Sequence, residues 1–133
     1  MAKEAPVLTV SIDDSGGSAR DISNDITNCD WGIPRGTQDV TGVDKAAMER
    51  LLLLGDFSFT ANGVFNDASN KSHDVLKTVS SASVARTITI VTSGQTLPNE
   101  CLVTDYALSR SASGELTWSA PAVLQSGTAP TWA

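Results

Sequence analysis

Histidine and cysteine, which carry much of catalysis and metal binding in proteins, are almost missing from this 133-residue chain, which has one histidine and two cysteines. Cys29 and Cys101 lie far apart and form no C-x-x-C pair, so neither a zinc site nor a disulfide framework is indicated. His73 has Asp67 and Asp74 nearby in sequence, but no G-x-S-x-G turn accompanies it. We interpret His73 as a helix-surface residue and expect a protein that is not an enzyme and needs no cofactor or metal.

Positive charge is also scarce. The chain carries 9 Lys and Arg against 15 Asp and Glu, so its formal net charge is -6. Non-specific affinity for duplex DNA comes from neutralising phosphates with Lys and Arg. The composition therefore argues against a protein that grips DNA.

Long hydrophobic runs are absent. The longest apolar cluster, residues 51–54, falls far short of the roughly 20 residues that a membrane span needs. The first six residues lead into a short alternating stretch rather than into the hydrophobic region of a signal peptide. The hydrophobic fraction of 41% is nevertheless sufficient for a core. We expect one soluble domain over residues 1–133, with no membrane contact.

β-branched and alternating segments dominate what is present. Strands are predicted for residues 7–12, 20–31, 57–61, 84–92, 101–109 and 115–123, with the last two paired as an antiparallel hairpin. The second of these contains Asn24 and Asp25, which indicate a bulge or kink. Asp105 lies inside a predicted strand. The breaker cluster at 32–36 opens a polar stretch to Gly42, which we interpret as an exposed loop or extended hairpin.

Two helices are predicted from spacing. Thr41 can cap a helix in which Val43, Ala47, Leu51 and Leu54 recur at helical intervals, and Gly55 would end it. A shorter helix is predicted for residues 72–79. The fold class that follows is α+β: a mainly antiparallel β-sandwich or barrel with one flanking α-helix and a second short helix.

The C-terminal end carries no charged side chain from Leu116 onward, yet it contains Trp118, Leu124 and Trp132. A solvated tail normally has low hydrophobicity and high charge. We expect residues up to Leu124 to pack on their own domain and residues 125–133 to form an arm that docks on a neighbouring copy, with Trp132 as an interface anchor.

An ordered series of short motifs covers nearly the whole chain. It comprises residues 7–12, the turn Asp13-Asp14-Ser15-Gly16-Gly17, residues 20–23, residues 37–42, the predicted helix, residues 55–66, Ser72-His73 and residues 114–118. In this order the motifs resemble those of the tail tube (major tail) proteins of long-tailed bacteriophages.

The resemblance implies a structural virion protein that assembles in the host cytoplasm into hexameric rings, which stack into the tail tube and form a conduit for DNA delivery. The candidate inter-subunit contacts are Ile33, Pro34, Arg35, Thr37, Asp39, Leu124 and Trp132, together with an N-terminal arm at 1–6 and a C-terminal arm at 125–133. The resemblance also implies an acidic lumen, for which Asp105 and Glu115 are candidates. The implied partners are further copies of the chain and the tape measure, tail terminator and distal tail proteins, while DNA passes through without specific binding.

Three alternatives stay open from the sequence. A minor tail or terminator ring protein would share the fold. A monomeric β-sandwich binding module could use Trp31 or Trp132 as a stacking platform. A hydrolase built on Asp105 or His73 is the third. The chain also ends without the immunoglobulin-like domain that some tail tube proteins carry, so a role in surface adhesion is not carried over.

Overall fold

The computed structural model describes residues 5–133, and within them the chain forms ten β-strands and very little helix. The strands are β1 (Leu8–Asp13), β2 (Ala19–Asp21), β3 (Ile26–Gly32), β4 (Arg35–Asp39), β5 (Arg50–Gly55), β6 (Ser58–Val64), β7 (Arg86–Thr92), β8 (Gln95–Val103), β9 (Ala107–Arg110) and β10 (Leu116–Leu124). The helical elements are a 3-10 turn at Ser23–Asp25 and the five-residue helix α1 at Ser72–Leu76. No helix in residues 5–133 is long and apolar enough to cross a membrane.

Eight strands form one antiparallel main sheet, and β4 and β5 form a separate two-stranded ribbon. The order in the main sheet is β2-β1-β7-β8-β10-β6-β3, and β9 pairs with the first half of β10. Strands from both ends of this order contribute to a single buried cluster, so the sheet curls around one core. This is the arrangement that lets a sheet with one apolar face bury that face on itself.

The core follows from strand alternation. Inward positions are occupied by Val10 and Ile12 of β1, Ile88 and Ile90 of β7, Leu97 and Cys101 of β8, Phe59 and Ala61 of β6, and Trp118, Ala120 and Ala122 of β10, all of them buried. The alternate residues of these strands point outward, as a period of two requires. Gly63 of β6, which pairs with Trp118, leaves room for the indole, since a Cβ there would lie 2.8 Å from Trp118 Cζ2. The indole Nε1 donates to the Val64 carbonyl at 2.8 Å.

Two buried charged side chains fix the connections around α1. The Asp25 carboxylate accepts hydrogen bonds from Asn66 Nδ2 at 3.0 Å and from the Ser72 amide at 3.1 Å, which satisfies a free N–H at the start of the helix. The Arg86 guanidinium donates to the carbonyls of Val75 and Asp13 and to the Thr78 hydroxyl at the other end. Both side chains are buried with their polar atoms hydrogen-bonded, which offsets part of the cost of removing them from water.

The predicted α+β class is wrong: strands account for 49% of the structure and helix for 6%, so the fold is nearly all antiparallel β. The predicted flanking helix does not exist, because Arg50–Gly55 is strand β5 and residues 41–49 form a turn region. Thr41 accepts a hydrogen bond from the Glu49 amide, which closes a hairpin tip instead of capping a helix. The second predicted helix shrinks to Ser72–Leu76, followed by turns through Ser81.

Several of the predicted strands are confirmed, whereas the predicted placement of Asp105 inside a strand is wrong. The kink predicted near Asn24 and Asp25 is the 3-10 turn that separates β2 from β3. The predicted strand 101–109 is broken at residues 104–106, so Asp105 lies in the connection between β8 and β9 and not within a strand. The break arises where β8 leaves β10 after Val103 and β9 replaces it as the partner of β10.

Candidate assembly surface

A two-stranded arm, residues 33–56, projects from the main sheet as a continuation of the β3–β6 pair. Gly32 pairs with Ser58 at the end of the main sheet, the Asp56 amide donates to the Pro34 carbonyl at 3.0 Å, and Arg35 then pairs with Gly55. Within residues 5–133, β4 and β5 pair only with each other. Every residue of β4 and all but the last residue of β5 are exposed.

Hydrogen bonds order the tip of the arm. Asp39 Oδ1 accepts from the Thr41 amide at 2.9 Å and from the Thr41 hydroxyl at 2.6 Å, and the Glu49 amide donates to Thr41 Oγ1 at 2.8 Å. The Thr41 hydroxyl and amide lower the pKa of Asp39 by stabilising its charged form. The tip therefore has defined geometry although it is surrounded by solvent in the isolated chain.

The arm carries leucines on both of its faces. Leu52 pairs with Thr37 and Leu51 with Gln38, so these two neighbours project to opposite sides. Leu53 lies over Gly36, and Leu54 lies where the β4–β5 register shifts. Their exposed fractions are 55% for Leu51, 57% for Leu52, 40% for Leu53 and 93% for Leu54. Consecutive apolar residues are typical of strands covered on both faces, and residues 5–133 leave the leucines on both faces of the arm largely exposed.

The structure brings five of the predicted contact residues together on the arm: Ile33, Pro34, Arg35, Thr37 and Asp39. Ile33 is half-buried and packs against the core, which anchors the arm's root. Arg35 Nε donates to the Leu53 carbonyl at 2.9 Å, linking the two arm strands across the register shift. That any of these residues contacts a second copy stays a prediction.

Sequence reasoning missed the four leucines, because it assigned them to a helix buried on its own domain. A run of four leucines does not alternate, so it fits neither a half-buried strand nor a one-faced helix well. That mismatch is the signal that could have marked residues 51–54 as a surface covered by something outside the chain.

Leu124 and Trp132, the other predicted contacts, lie at the C-terminal end. Leu124 ends β10, packs against the core, and its amide donates to the Phe57 carbonyl at 3.2 Å. Trp132 is 45% exposed, and Ala133 after it pairs with Thr96 of the same chain. Trp31, the other candidate stacking platform, packs against the core and is only partly exposed.

Among residues 5–133, no outward position in the strands of the main sheet holds Lys or Arg, and Lys71 of the α1 connection lies beside Asp21 at the β1–β2 edge. The three arginines in its strands all occupy inward positions. Residues paired across two strands lie on the same face of the sheet, and each arginine pairs with an inward residue: Arg20 with Ile12, Arg86 with Cys101 and Arg110 with Leu116. About half of the outward positions hold Ser, Thr or Asn, and carboxylates lie at Asp13, Asp21, Asp30 and Glu100. Exposed apolar side chains lie on the same face at Val64, Leu102 and Val123, so the face is hydroxyl-rich, acidic and partly apolar.

Asp105 and Glu115, the candidate lumen residues, flank β9 in exposed connections. The hydroxyl of Ser113 donates to Glu115 Oε2 at 2.7 Å, and with Ser111 it lowers the pKa of Glu115 to about 2. Glu115 therefore stays charged over the whole physiological range. Their position in a lumen is an untested expectation.

His73 lies in a small aromatic cluster instead of on an open helix surface. Its Nδ1 is 3.1 Å from the Tyr106 hydroxyl, and its ring centroid is 4.6 Å from that of Phe65. Burial raises the pKa of Tyr106. No group of three or more His, Cys, Asp or Glu side chains that could hold a metal ion occurs in the part of the chain that the structure describes.

The comparisons with known proteins identify the fold through solved structures alone. No protein-family model and no curated protein matches the chain. A chain in the tail of an empty gene transfer agent (GTA) particle, determined by helical refinement with C6 symmetry, superposes with a TM-score of 0.80 and 17% identity, covering 99% of both chains. A chain in the virion of a native GTA particle gives 0.78 and 16%, again over 99% of both chains. Over its full length, this chain therefore has the same fold as components of a GTA tail and virion.

Proposed function

We propose that this chain is a tail tube subunit: a structural protein of a phage-like virion tail, six copies of which form a ring and whose rings stack into a tube. The observation that carries the proposal is the arm with uncovered leucines on both faces. The shared fold with a chain of a C6-symmetric tail supports the ring number.

The arm supports stacking because its leucines are 40–93% exposed in the isolated chain. Fully burying an exposed leucine is worth about 1.5–3 kcal/mol, so covering the exposed part of Leu51, Leu52 or Leu53 contributes about half of that. Several such side chains on each arm, repeated six times per ring, favour a contact between rings over a free subunit. Because each face of the arm carries leucines, the arm fits a position between two surfaces better than a contact with one surface alone.

Ring closure is supported by the edges of the main sheet. β2 and β3 end the strand order, and β9 covers only part of β10. Unpaired strand edges are ready to pair with another chain, and closing a ring removes them. A contact that repeats by rotation and closes gives a ring, and a contact along the axis gives an open stack.

The conduit role is supported by the outward strand positions of the main sheet, which hold carboxylates and no Lys or Arg among residues 5–133. Phosphates are held by positive side chains, so a lining of hydroxyls and carboxylates would let DNA pass without sticking. Asp30 and Glu100 on the sheet join Asp105 and Glu115 as candidates for this lining. The mechanism needs no cofactor, and DNA is cargo without a specific site.

The proposed function also implies other partners. A tube needs proteins that start it, set its length and close it, which are the distal tail, tape measure and tail terminator proteins of the family that the sequence resembles. Its location would be the virion tail, with assembly in the host cytoplasm.

The test is negative-stain electron microscopy of the unmodified protein and of arm variants. We expect tubes or six-membered rings from the unmodified chain. Leu51→Ser with Leu53→Ser, and separately Leu52→Ser with Leu54→Ser, should raise the concentration needed for tubes at least tenfold, because about 1.4 kcal/mol changes an equilibrium tenfold. The matched control is Val84→Ser, which removes an apolar side chain that is 40% exposed outside the arm.

The outcomes separate the alternatives. Single rings that never stack would favour a terminator ring protein. A monomer at all concentrations, with or without added tail initiator, would overturn the proposal. Tubes formed equally well by both leucine variants would show that the arm is not the stacking contact.

A further inference from the structure

The C-terminal segment, residues 125–133, is tied to its own chain at both ends. The Gln125 amide donates to the Glu100 carbonyl at 3.0 Å. Ala133 exchanges two backbone hydrogen bonds with Thr96, at 2.8 and 2.9 Å. The segment therefore starts and finishes along the edge of β8.

Between these two ties the segment takes a longer route than pairing with β8 requires. From Glu100 back to Thr96 is four residues along β8, whereas from Gln125 to Ala133 is eight residues along the segment. A strand in simple antiparallel register would need only four. The surplus forms an excursion away from β8.

The excursion reaches the root of the arm. A Cβ placed on Gly55, the last residue of β5, would lie 3.1 Å from the Ala129 Cβ and 3.7 Å from the Arg35 Cγ. Gly55 is therefore held between the C-terminal segment on one side and the first arm strand on the other. A side chain at this position would require its neighbours to move by a few tenths of an ångström or more.

We propose that residues 125–133 are a brace that acts within their own chain and sets the direction of the arm relative to the main sheet. The brace connects the arm's root at Gly55 to the β7–β8 end of the sheet at Thr96, so the arm cannot swing without breaking these contacts. This differs from the sequence-based expectation that the segment docks on a neighbouring copy. The consequence for assembly rests on the proposed function, whereas the brace itself is a property of the free subunit.

The first test measures the direction of the arm in the free subunit. Spin labels at Ala46→Cys on the tip and Ser113→Cys on the β9–β10 turn report the tip-to-body distance. Gly55→Val should push the segment off the root and broaden or shift the distance distribution. Gly32→Val is the matched control, because a Cβ at Gly32 meets nothing within 4 Å although it lies at the same root.

The native cysteines interfere little with this labelling. Burial raises the pKa of both Cys29 and Cys101 to about 12, so neither is a thiolate at neutral pH. A Gly55→Val distribution that matches those of Gly32→Val and of the unmodified chain would overturn the brace.

The second test distinguishes a segment that packs on its own chain from one that packs on a neighbouring copy. Deleting the segment would remove both kinds of contact and cannot distinguish them. Thr96 and Ala133 form a hydrogen-bonded antiparallel pair, for which a Cα separation of about 5.5 Å is usual and a disulfide is feasible. The variant Thr96→Cys with Ala133→Cys locks the segment onto its own chain when oxidised.

If the segment is a brace, the oxidised variant should form tubes as well as its reduced form does. Loss of tubes on oxidation, restored by reduction, would mean that the segment must pair with another copy and would overturn the brace. Failure of the unmodified chain to form tubes would count against the proposed function alone, and the spin-label comparison would still decide the brace.

Discussion

Arg86 lies in an unusual environment, because arginine side chains are mostly exposed to solvent in proteins. It is fully buried at the end of α1, and burial lowers its pKa against the opposing effect of Asp14 and Asp13. Its inward parity was visible in the sequence, because it alternates in step with Ile88 and Ile90. What the sequence could not give is the set of acceptors, since the Val75 carbonyl and the Thr78 hydroxyl come from a turn with no regular pattern.

Replacing Arg86 by Met should lower the free energy of unfolding by about 2–4 kcal/mol, because buried carbonyls of Val75 and Asp13 lose their donors. Urea unfolding measures this. Arg110→Met is the control, since Arg110 is exposed and such a change is usually within about 0.5 kcal/mol. Equal losses in the two variants would mean that the buried guanidinium does not organise the α1 connection.

At the scale of elements, the alternation of apolar and polar residues predicts the strands of the main sheet well but does not predict the strands of the arm. β1, β6, β7 and β10 each show a clear period of two in burial, which the sequence pattern already contained. β4 contains Gly36 and otherwise only polar residues, so nothing in it indicates a strand. Without a recognised partner, β5 was read by helical spacing instead. The leucines of β5 stay exposed in the isolated chain, so burial within it gives no alternation from which a strand could be predicted.

The β9–β10 turn offers an element whose charge state can be tested. Gly114 takes a positive φ of 103°, and the Ser111 amide donates to the Glu115 carbonyl at 3.1 Å, which places the Ser113 hydroxyl on the Glu115 carboxylate. The folded pKa of about 2 is below the ordinary 4.5, so the stabilisation is present above pH 4.5 and is lost as pH falls towards 2.

We expect Ser113→Ala to raise the pKa of Glu115 towards 4.5, as followed by NMR titration of its side-chain carboxyl. Ser109→Ala, on the neighbouring strand β9, should leave that pKa unchanged. An unaltered titration in Ser113→Ala would mean that the Ser113 hydroxyl does not set the charge state of this turn.

For the whole molecule, one part of the candidate contact surface can be predicted from a single sequence and another part cannot. Gly32, Pro34 and Gly36 mark an exposed segment by their turn chemistry, so the first half of the arm was predicted as an exposed loop or hairpin. The leucine half, the tip and the brace depend on which strands meet in three dimensions. Lumen residues depend on the arrangement of copies, which one chain does not contain.

The apolar character of the arm predicts how assembly responds to salt. Raising NaCl from 0.1 to 1 M shortens the Debye length from about 10 to about 3 Å and screens surface charges. Burial of leucine is not screened, so the concentration at which tubes pellet should change less than about threefold, and sulfate should lower it. Tubes that dissolve in 1 M NaCl would indicate that charge pairs, and not the leucines, hold the rings together.

The projecting arm also gives any stack an orientation. If the arm is the stacking contact of the proposed tube, each ring offers arms on one side and the surfaces that receive them on the other, so a finite stack has two unlike ends. One end then exposes the arm leucines, and the other exposes unoccupied receiving surfaces. Because every ring adds to such a stack in the same way, the repeat itself sets no length. The length of the stack and the capping of its two ends must therefore be determined by molecules other than this chain.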